Sequence, residues 1–231
     1  MFNQHINEQF RQTWLKKTLA SMPNGSRILD AGAGELKNRR YCAHLSYVSQ
    51  DFCQYRGQQG GAIDEGLQDR SWDVGQIDLV SDITDIPAPD ASFDVILCSE
   101  VLEHVPEPTH ALDEFKRLLR VGGVLILTAP FGSNVHMAPF HFCSGFSKYW
   151  YEFHLPLRGF DMAELTPNGD WYALLAQEIS RLGGLERQRA SWSWPLAYVY
   201  SLLGRLYFKL RPDKRAEDVA CFGWHCVAVK K

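Results

Sequence analysis

The sequence predicts an α/β fold: a doubly wound, mostly parallel seven-stranded sheet with an aromatic-rich helical insertion near the C-terminus. Three observations predict it. Short apolar runs alternate with helical stretches between Ile28 and Thr128, the signature of strand–helix–strand units. The first apolar run ends in Asp30 and turns at once through Gly32-Ala33-Gly34. Phe93–Cys98 is apolar almost throughout, as a strand covered on both faces must be.

Each element has its own signal. Ile6, Phe10, Trp14 (or Leu15) and Leu19 fall at helical spacing, so 6–20 reads as a helix broken by Pro23-Asn24-Gly25. Ile28-Leu29 opens a strand, and the glycine turn leads into a helix over 35–44. Tyr47–Asp51 is a second strand, residues 54–76 a loop or degenerate helix, and Gln76–Ile83 a third strand. Thr109–Arg120 is a helix with Leu112, Phe115, Leu118 and Leu119 on its apolar face, and Gly122-Gly123 reads as its stop. Val124–Thr128 is a buried strand closed by Pro130. Residues 131–146 are aromatic, His-rich and irregular; 147–154 reads as a helix and 159–165 as a strand. Trp171–Leu182 is a helix stopped by Gly183-Gly184, Pro195–Leu210 a broadly apolar helix, and Phe222–Val229 the last strand.

Composition narrows the function. The 231 residues are 45% hydrophobic and 22% charged, with net charge −3 and no long Lys/Arg run, which argues against a nucleic-acid partner. Six cysteines (42, 53, 98, 143, 221, 226) contain no C-x-x-C pair and read as reduced thiols of a cytoplasmic protein. Met1–Asn24 reads as neither a signal peptide nor a spanning helix, and the longest apolar runs fall short of the roughly 20 residues that cross a bilayer.

Arg27–Val135 resembles the core of the class I S-adenosylmethionine-dependent methyltransferases, of the type-11 or ubiquinone-biosynthesis-like group. The matching residues are Leu29-Asp30-Ala31-Gly32-Ala33-Gly34, Asp51, Asp82-Ile83 with Ile86-Pro87, Ser92–Ile96, Glu100-Val101-Leu102-Glu103-His104 and Gly122–Leu125. A third glycine often found near Glu35 or Leu36 is absent, which leaves the detail of the turn open. The resemblance implies a Rossmann-like sheet, S-adenosyl-L-methionine as cofactor and a small-molecule acceptor. It divides a single domain over 1–231 into a cofactor-binding core (27–130), lid and insertion segments (131–216) and a last strand (219–231).

The resemblance places the cofactor along the carboxyl ends of the strands. Gly32 and Gly34 pass its methionine part, and Asp30 orients the turn. Asp51 accepts from both ribose hydroxyls, Asp82 and the Ile83 N–H meet the adenine, and Cys98 and Ser99 lie near the methionine end. An acid at a strand end is also a common N-cap. If the acceptor must lose a proton, the candidate bases are His104, His136 and His141. The set His136, His141, Cys143 and His154 matches no metal-site spacing, and no H-E-x-x-H surrounds Glu103-His104; no metal is expected.

The aromatic segments 131–172 and 183–216 are expected to build a lid over the acceptor pocket. Pro195–Leu210 carries a narrow polar stripe, Ser201, Arg205 and Lys209, and ends in Lys209-Leu210-Arg211. A helix buried under the lid is the first reading; the alternatives are a dimer seam and peripheral membrane contact through 192–211, which suits a hydrophobic or lipid-linked acceptor. Two rival functions share the core: a nicotinamide oxidoreductase, opposed by the missing G-x-G-x-x-G spacing, and a catalytically inactive cofactor-binding protein acting through a partner.

Overall fold

The computed structural model describes residues 6–57, 72–189, 191–210, 217 and 219–231. The seven strands are β1 (Arg27–Ala31), β2 (Ser46–Asp51), β3 (Leu79–Val80), β4 (Phe93–Ser99), β5 (Leu119–Pro130), β6 (Phe160–Asn168) and β7 (Gly223–Lys230). They form one sheet in the order β3-β2-β1-β4-β5-β7-β6. The pairs β2–β3, β1–β2, β1–β4 and β4–β5 are parallel. Between β6 and β7, Phe222 N donates to Asn168 O at 2.9 Å and Lys231 N to Gly159 O at 2.9 Å, so this pair runs antiparallel. Ala31, Asp51, Ser99 and Thr128 all lie toward the carboxyl ends of their strands, the edge at which ligands bind in open parallel sheets.

The helices are α1 (Ile6–Ala20), α2 (Pro108–Leu118), α3 (Lys148–Leu157), α4 (Trp171–Gln188) and α5 (Trp194–Lys209). Leu15 and Leu19 of α1 are fully buried and pack with Ile28, Val95, Leu97 and Ile126 from the central strands. Each buried leucine contributes about 1.5–3 kcal/mol. Pro108 opens α2, where its missing N–H costs nothing. The nearly buried Glu114 of α2 accepts from Ile86 N at 2.8 Å, and Arg117 reaches Glu114, Asp90 and the Ala88 and Ile86 carbonyls. The proline-rich loop before β4 is stapled to α2 by these bonds.

Four local expectations are corrected. No helix forms over 35–44: Gly34 and Leu36 take φ of 49° and 59°, which an α-helix excludes, and only the single turn Arg39–Tyr41 remains. Gly122 and Gly123 do not stop α2, which ends at Leu118; they sit in β5, where pairing with β4 slips between Phe93 and Val95. This is a bulge, another position that favours glycine. Gly183 and Gly184 do not stop α4, which continues to Gln188. The third strand has only two residues. Within the segment expected as a loop or degenerate helix, residues 58–71 lie outside the described residues.

The chain divides into two compact units, Trp14–Thr166 with Trp224–Lys231, and Met1–Thr13 with Pro167–Gly223. The second contains α4 and α5. These helices meet along small residues: Gly183 N donates to Ser201 Oγ at 3.2 Å, and Ser201 Oγ bonds the Ile179 carbonyl at 2.6 Å. A Cβ on Gly204 would lie 3.0 Å from the Ile179 side chain. The polar stripe at Ser201 is thus the packed side of α5. Leu196, Val199, Leu203, Leu206 and Leu210, spaced along one face, are exposed. The expectation of a buried helix is reversed because close approach to α4 requires small side chains. Arg211 of the expected basic flank, with the rest of 211–216, lies outside the described residues. No described helix is long and apolar enough to cross a membrane.

Candidate active site

The turn after β1 is held to the tip of β2 by its own amides. Gly32 N and Ala33 N donate to Gln50 O at 2.9 and 2.8 Å, and Gly34 N donates to Asp51 Oδ2 at 2.9 Å. With no helix behind them, these amides are not a helix N-terminus; they lock the turn in place. Gly32 needs to be glycine twice over. Its φ is 76°, and a Cβ would lie 2.7 Å from Val101 Cγ1. Val101 follows β4, so this contact sets the next loop directly beside the glycine turn.

Asp30 is buried and accepts from Tyr47 OH at 2.6 Å. Burial pushes its carboxyl up to about 6; hydrogen bonds from Tyr47 and Asn38 pull it down, and the Asp51 charge adds to the rise. Asp51, also buried, accepts from Cys53 N through Oδ1 at 2.8 Å as well as from Gly34. A carboxylate has about four acceptor positions, so Asp51 keeps capacity beyond these two amides. Asp82 is exposed, and its Oδ1 accepts from Thr84 N at 2.8 Å and Thr84 Oγ1 at 2.7 Å. This is the local capping arrangement; none of its described hydrogen bonds ties it to the glycine turn. The Ile83 side chain is buried.

Cys98 is fully buried, and burial, with the charges of Glu103, Asp30 and Glu100, holds its thiol protonated. Its side chain belongs to the core. Ser99 lies in a chain of hydroxyls: Thr128 Oγ1 donates to Glu100 Oε1 at 2.9 Å, so Ser99 Oγ, 2.8 Å away, donates to Thr128. Glu100 sits at φ 56°, a strained conformation for a non-glycine residue at the tip of the central strand.

The three candidate histidines converge. His104 ends a single turn, Leu102–His104, after β4; His136 and His141 lie in the irregular segment after β5. Their ring centroids are 4.7 Å (104–136), 4.9 Å (136–141) and 6.0 Å (104–141) apart. The segment is clamped to the turn, since Phe142 N and Cys143 N donate to Glu103 O at 2.9 and 3.1 Å. Burial, reinforced by the neighbouring His136, drives His104 down to about 4; burial and His136 also lower His141. His154 lies instead on α3 beside Arg158.

Three residues central to this geometry carry roles that the sequence reading does not assign, although Val101 and Glu103 stand in the motif Glu100–His104. Gln50 accepts from Gly32 N at 3.2 Å and donates to Ser81 O at 2.8 Å, linking three strand tips. Val101 fills the space above Gly32, and Glu103 is buried beside the histidines.

Residues 29–127 match a family described as a methyltransferase domain. The demethylmenaquinone methyltransferase of Clavibacter sepedonicus is 33% identical over 105 residues, 45% of this chain and 40% of that protein. The ubiquinone biosynthesis O-methyltransferase of Xanthomonas axonopodis pv. citri (strain 306) is 34% identical over 115 residues, 46% of this chain and 44% of its own length. The chain spans less than half the length of these two relatives. Among solved structures, geranyl diphosphate methyltransferase in complex with SAM superposes with a TM-score of 0.54 at 14% identity, covering 97% of this chain and 85% of that one. Residues 29–127 thus match a methyltransferase domain, and the seven-stranded sheet has the Rossmann-like fold of the class I methyltransferases.

Proposed function

We propose that this chain is a cytoplasmic S-adenosyl-L-methionine-dependent methyltransferase that methylates a small, hydrophobic acceptor. The observation that carries the reading is the glycine turn locked onto Asp51 with three histidines on the adjoining loops. The residues fit the cofactor: Asp51 retains acceptor capacity at the tip of β2, beside a turn with little side-chain bulk. When bound, the cofactor supplies a methyl group on a sulfonium. Gly32, Gly34 and Asp51 hold it in one orientation, with Asp30 and Gln50 as positioning residues behind them, and Asp82 and Ile83 toward the adenine. The backbone at Cys98 and Ser99 borders the methionine end. Fixing both reactants in line supplies much of the acceleration.

The acceptor side is formed by residues 131–146. An acceptor hydroxyl that reacts must lose its proton, and His104, His136 or His141 receives it at an imidazole nitrogen. The name of one relative, a ubiquinone biosynthesis O-methyltransferase, supports a hydroxyl as that acceptor. The exposed leucines of α5 support contact of 192–211 with a membrane surface, where hydrophobic acceptors reside. The six cysteines are free, in keeping with a cytoplasmic protein.

Calorimetry with S-adenosylhomocysteine, followed by turnover of labelled S-adenosylmethionine on a panel of demethyl quinols and phenols, tests the reading. We expect binding and methyl transfer to at least one phenolic acceptor. No binding of either nucleoside overturns the assignment; binding without transfer to any acceptor favours a catalytically inactive binding protein. Flotation with anionic vesicles, comparing the chain with L203E/L206E, tests the membrane contact; equal recovery of the two removes it.

A further inference from the structure

We propose that His104, His136 and His141, with the carboxylate of Glu103, form a binding site for one divalent transition-metal ion of the zinc class. One ligand atom from each histidine lies within 4.8 Å of the other two. Two of the rings are already in the form a metal takes. His104 Nδ1 is 2.5 Å from the Phe140 carbonyl and His136 Nδ1 is 2.9 Å from the Asn134 carbonyl. A carbonyl only accepts, so Nδ1 carries the proton in both rings and Nε2 presents its lone pair. This outer hydrogen bond is the arrangement that orients metal-bound histidines.

Both free lone pairs face the same carboxylate. His104 Nε2 is 3.7 Å and His136 Nε2 4.0 Å from Glu103 Oε1. These distances are too long for hydrogen bonds and close to the separation of neighbouring ligands on one ion, about 3.4 Å for tetrahedral bonds of about 2.1 Å. The third ring supplies an independent observation. Both ring nitrogens of His141 are shielded from solvent, and neither has a hydrogen-bond partner among the described residues. Shielded ring nitrogens left this way are costly, and an ion at the centre of the cluster gives one of them a partner. A set of imidazole nitrogens with one carboxylate suits Zn²⁺, and Fe²⁺ or Ni²⁺ after it, rather than Mg²⁺ or Ca²⁺.

The sequence spacing set metal aside because it grouped His136 and His141 with Cys143 and His154. The fold replaces those two with His104 and Glu103, delivered by the loop after β4 and clamped to the histidine segment through the Glu103 carbonyl. Val101, packed on Gly32, places the site beside the glycine turn. An ion here would occupy the imidazole lone pairs, so in the methyl transfer proposed above it would replace the histidines as the group that assists deprotonation, by lowering the pKa of an acceptor hydroxyl; the metal site itself does not depend on that reading.

The test uses the full chain, stripped with a chelator and titrated with Zn²⁺ against a competing indicator and with Co²⁺ followed by its visible absorption. We expect one ion per chain and the absorption of a four- or five-coordinate cobalt centre. His136→Ala and His141→Ala should each weaken binding at least about tenfold, the lower end of what even outer partners contribute. His154→Ala should not weaken it, and circular dichroism should show all three variants folded. Affinity unchanged by H136A and H141A, less than one ion per chain, or a preference for Mg²⁺ overturns the proposal. S-adenosylhomocysteine binding to the stripped protein separates the two readings: metal without nucleoside binding sinks the methyltransferase assignment alone, and nucleoside without metal sinks this one alone.

Discussion

Replacing Asp30 by Asn should make stability depend on pH in a calculable way. The folded carboxyl is raised from its ordinary 3.8 to about 6, chiefly by burial. A raised carboxyl binds its proton more tightly in the folded state than in the unfolded one. Its contribution to stability is therefore greatest below about 3.8, falls as pH rises to about 6, and is constant beyond. At about 1.36 kcal/mol per pH unit, the loss across that window is about 3 kcal/mol. An amide does not titrate, so D30N lacks this slope. It still accepts from Tyr47, but its NH₂ end cannot accept the Asn38 bond, at a cost of about 1 kcal/mol. D30N should thus be about 1 kcal/mol less stable than the parent near pH 4 and about 2 kcal/mol more stable at pH 7. Urea unfolding of both proteins from pH 4 to 8 gives the difference, in which the other titrating groups cancel. A difference that is flat with pH, or that falls as pH rises, refutes the claim that a buried charge at Asp30 is held against desolvation.

Other substitutions test the rest of the site. Gly32→Ala meets both a positive φ and Val101, so it should cost about 1–3 kcal/mol in chemical unfolding. Val101→Ala in the same chain should return part of that, because it removes the clash and not the backbone strain. Gln50→Glu keeps size but replaces the donor to the Ser81 carbonyl with an acceptor in a site 1% exposed; a loss of about 2–3 kcal/mol is expected by thermal or urea unfolding. Arg117→Ala leaves the Glu114 carboxylate with only the Ile86 amide. A buried pair loses about 3–5 kcal/mol when broken, and because Arg117 is 34% exposed solvent screening reduces this to about 1–2 kcal/mol, measurable as a shift in urea midpoint with the slope unchanged.

Much of the frame was legible because it is local. The apolar run of Phe93–Cys98, the helical spacing of Leu112, Phe115 and Leu118, and the acid-glycine turn at Asp30–Gly34 each impose their geometry within a few residues. The misread places are glycines and their neighbours. Gly122 serves a bulge, Gly183 a helix seam, and Leu36 takes a left-handed φ with no sequence mark. Glycine relaxes a constraint without stating which one, so its purpose depends on partners distant in sequence. The same holds at the site. Asp51 beside a glycine turn could be expected from order along the chain, whereas Gln50, Val101 and Glu103 gain their roles from contacts across strands. The meeting of His104 with His136 and His141 spans some thirty residues and two loops, beyond the reach of any spacing rule.

The seam between α4 and α5 settles what a change of surroundings means for that helical pair. A serine hydroxyl, two glycines and main-chain groups join the two rods, with Phe208 against Tyr172 and Trp194 against Arg187 at the ends, while Leu196, Leu203 and Leu206 of α5 stay exposed. Their cohesion is independent of whatever meets the outer leucines. Covering or uncovering that greasy flank is consequently a docking event between finished parts, with no refolding step.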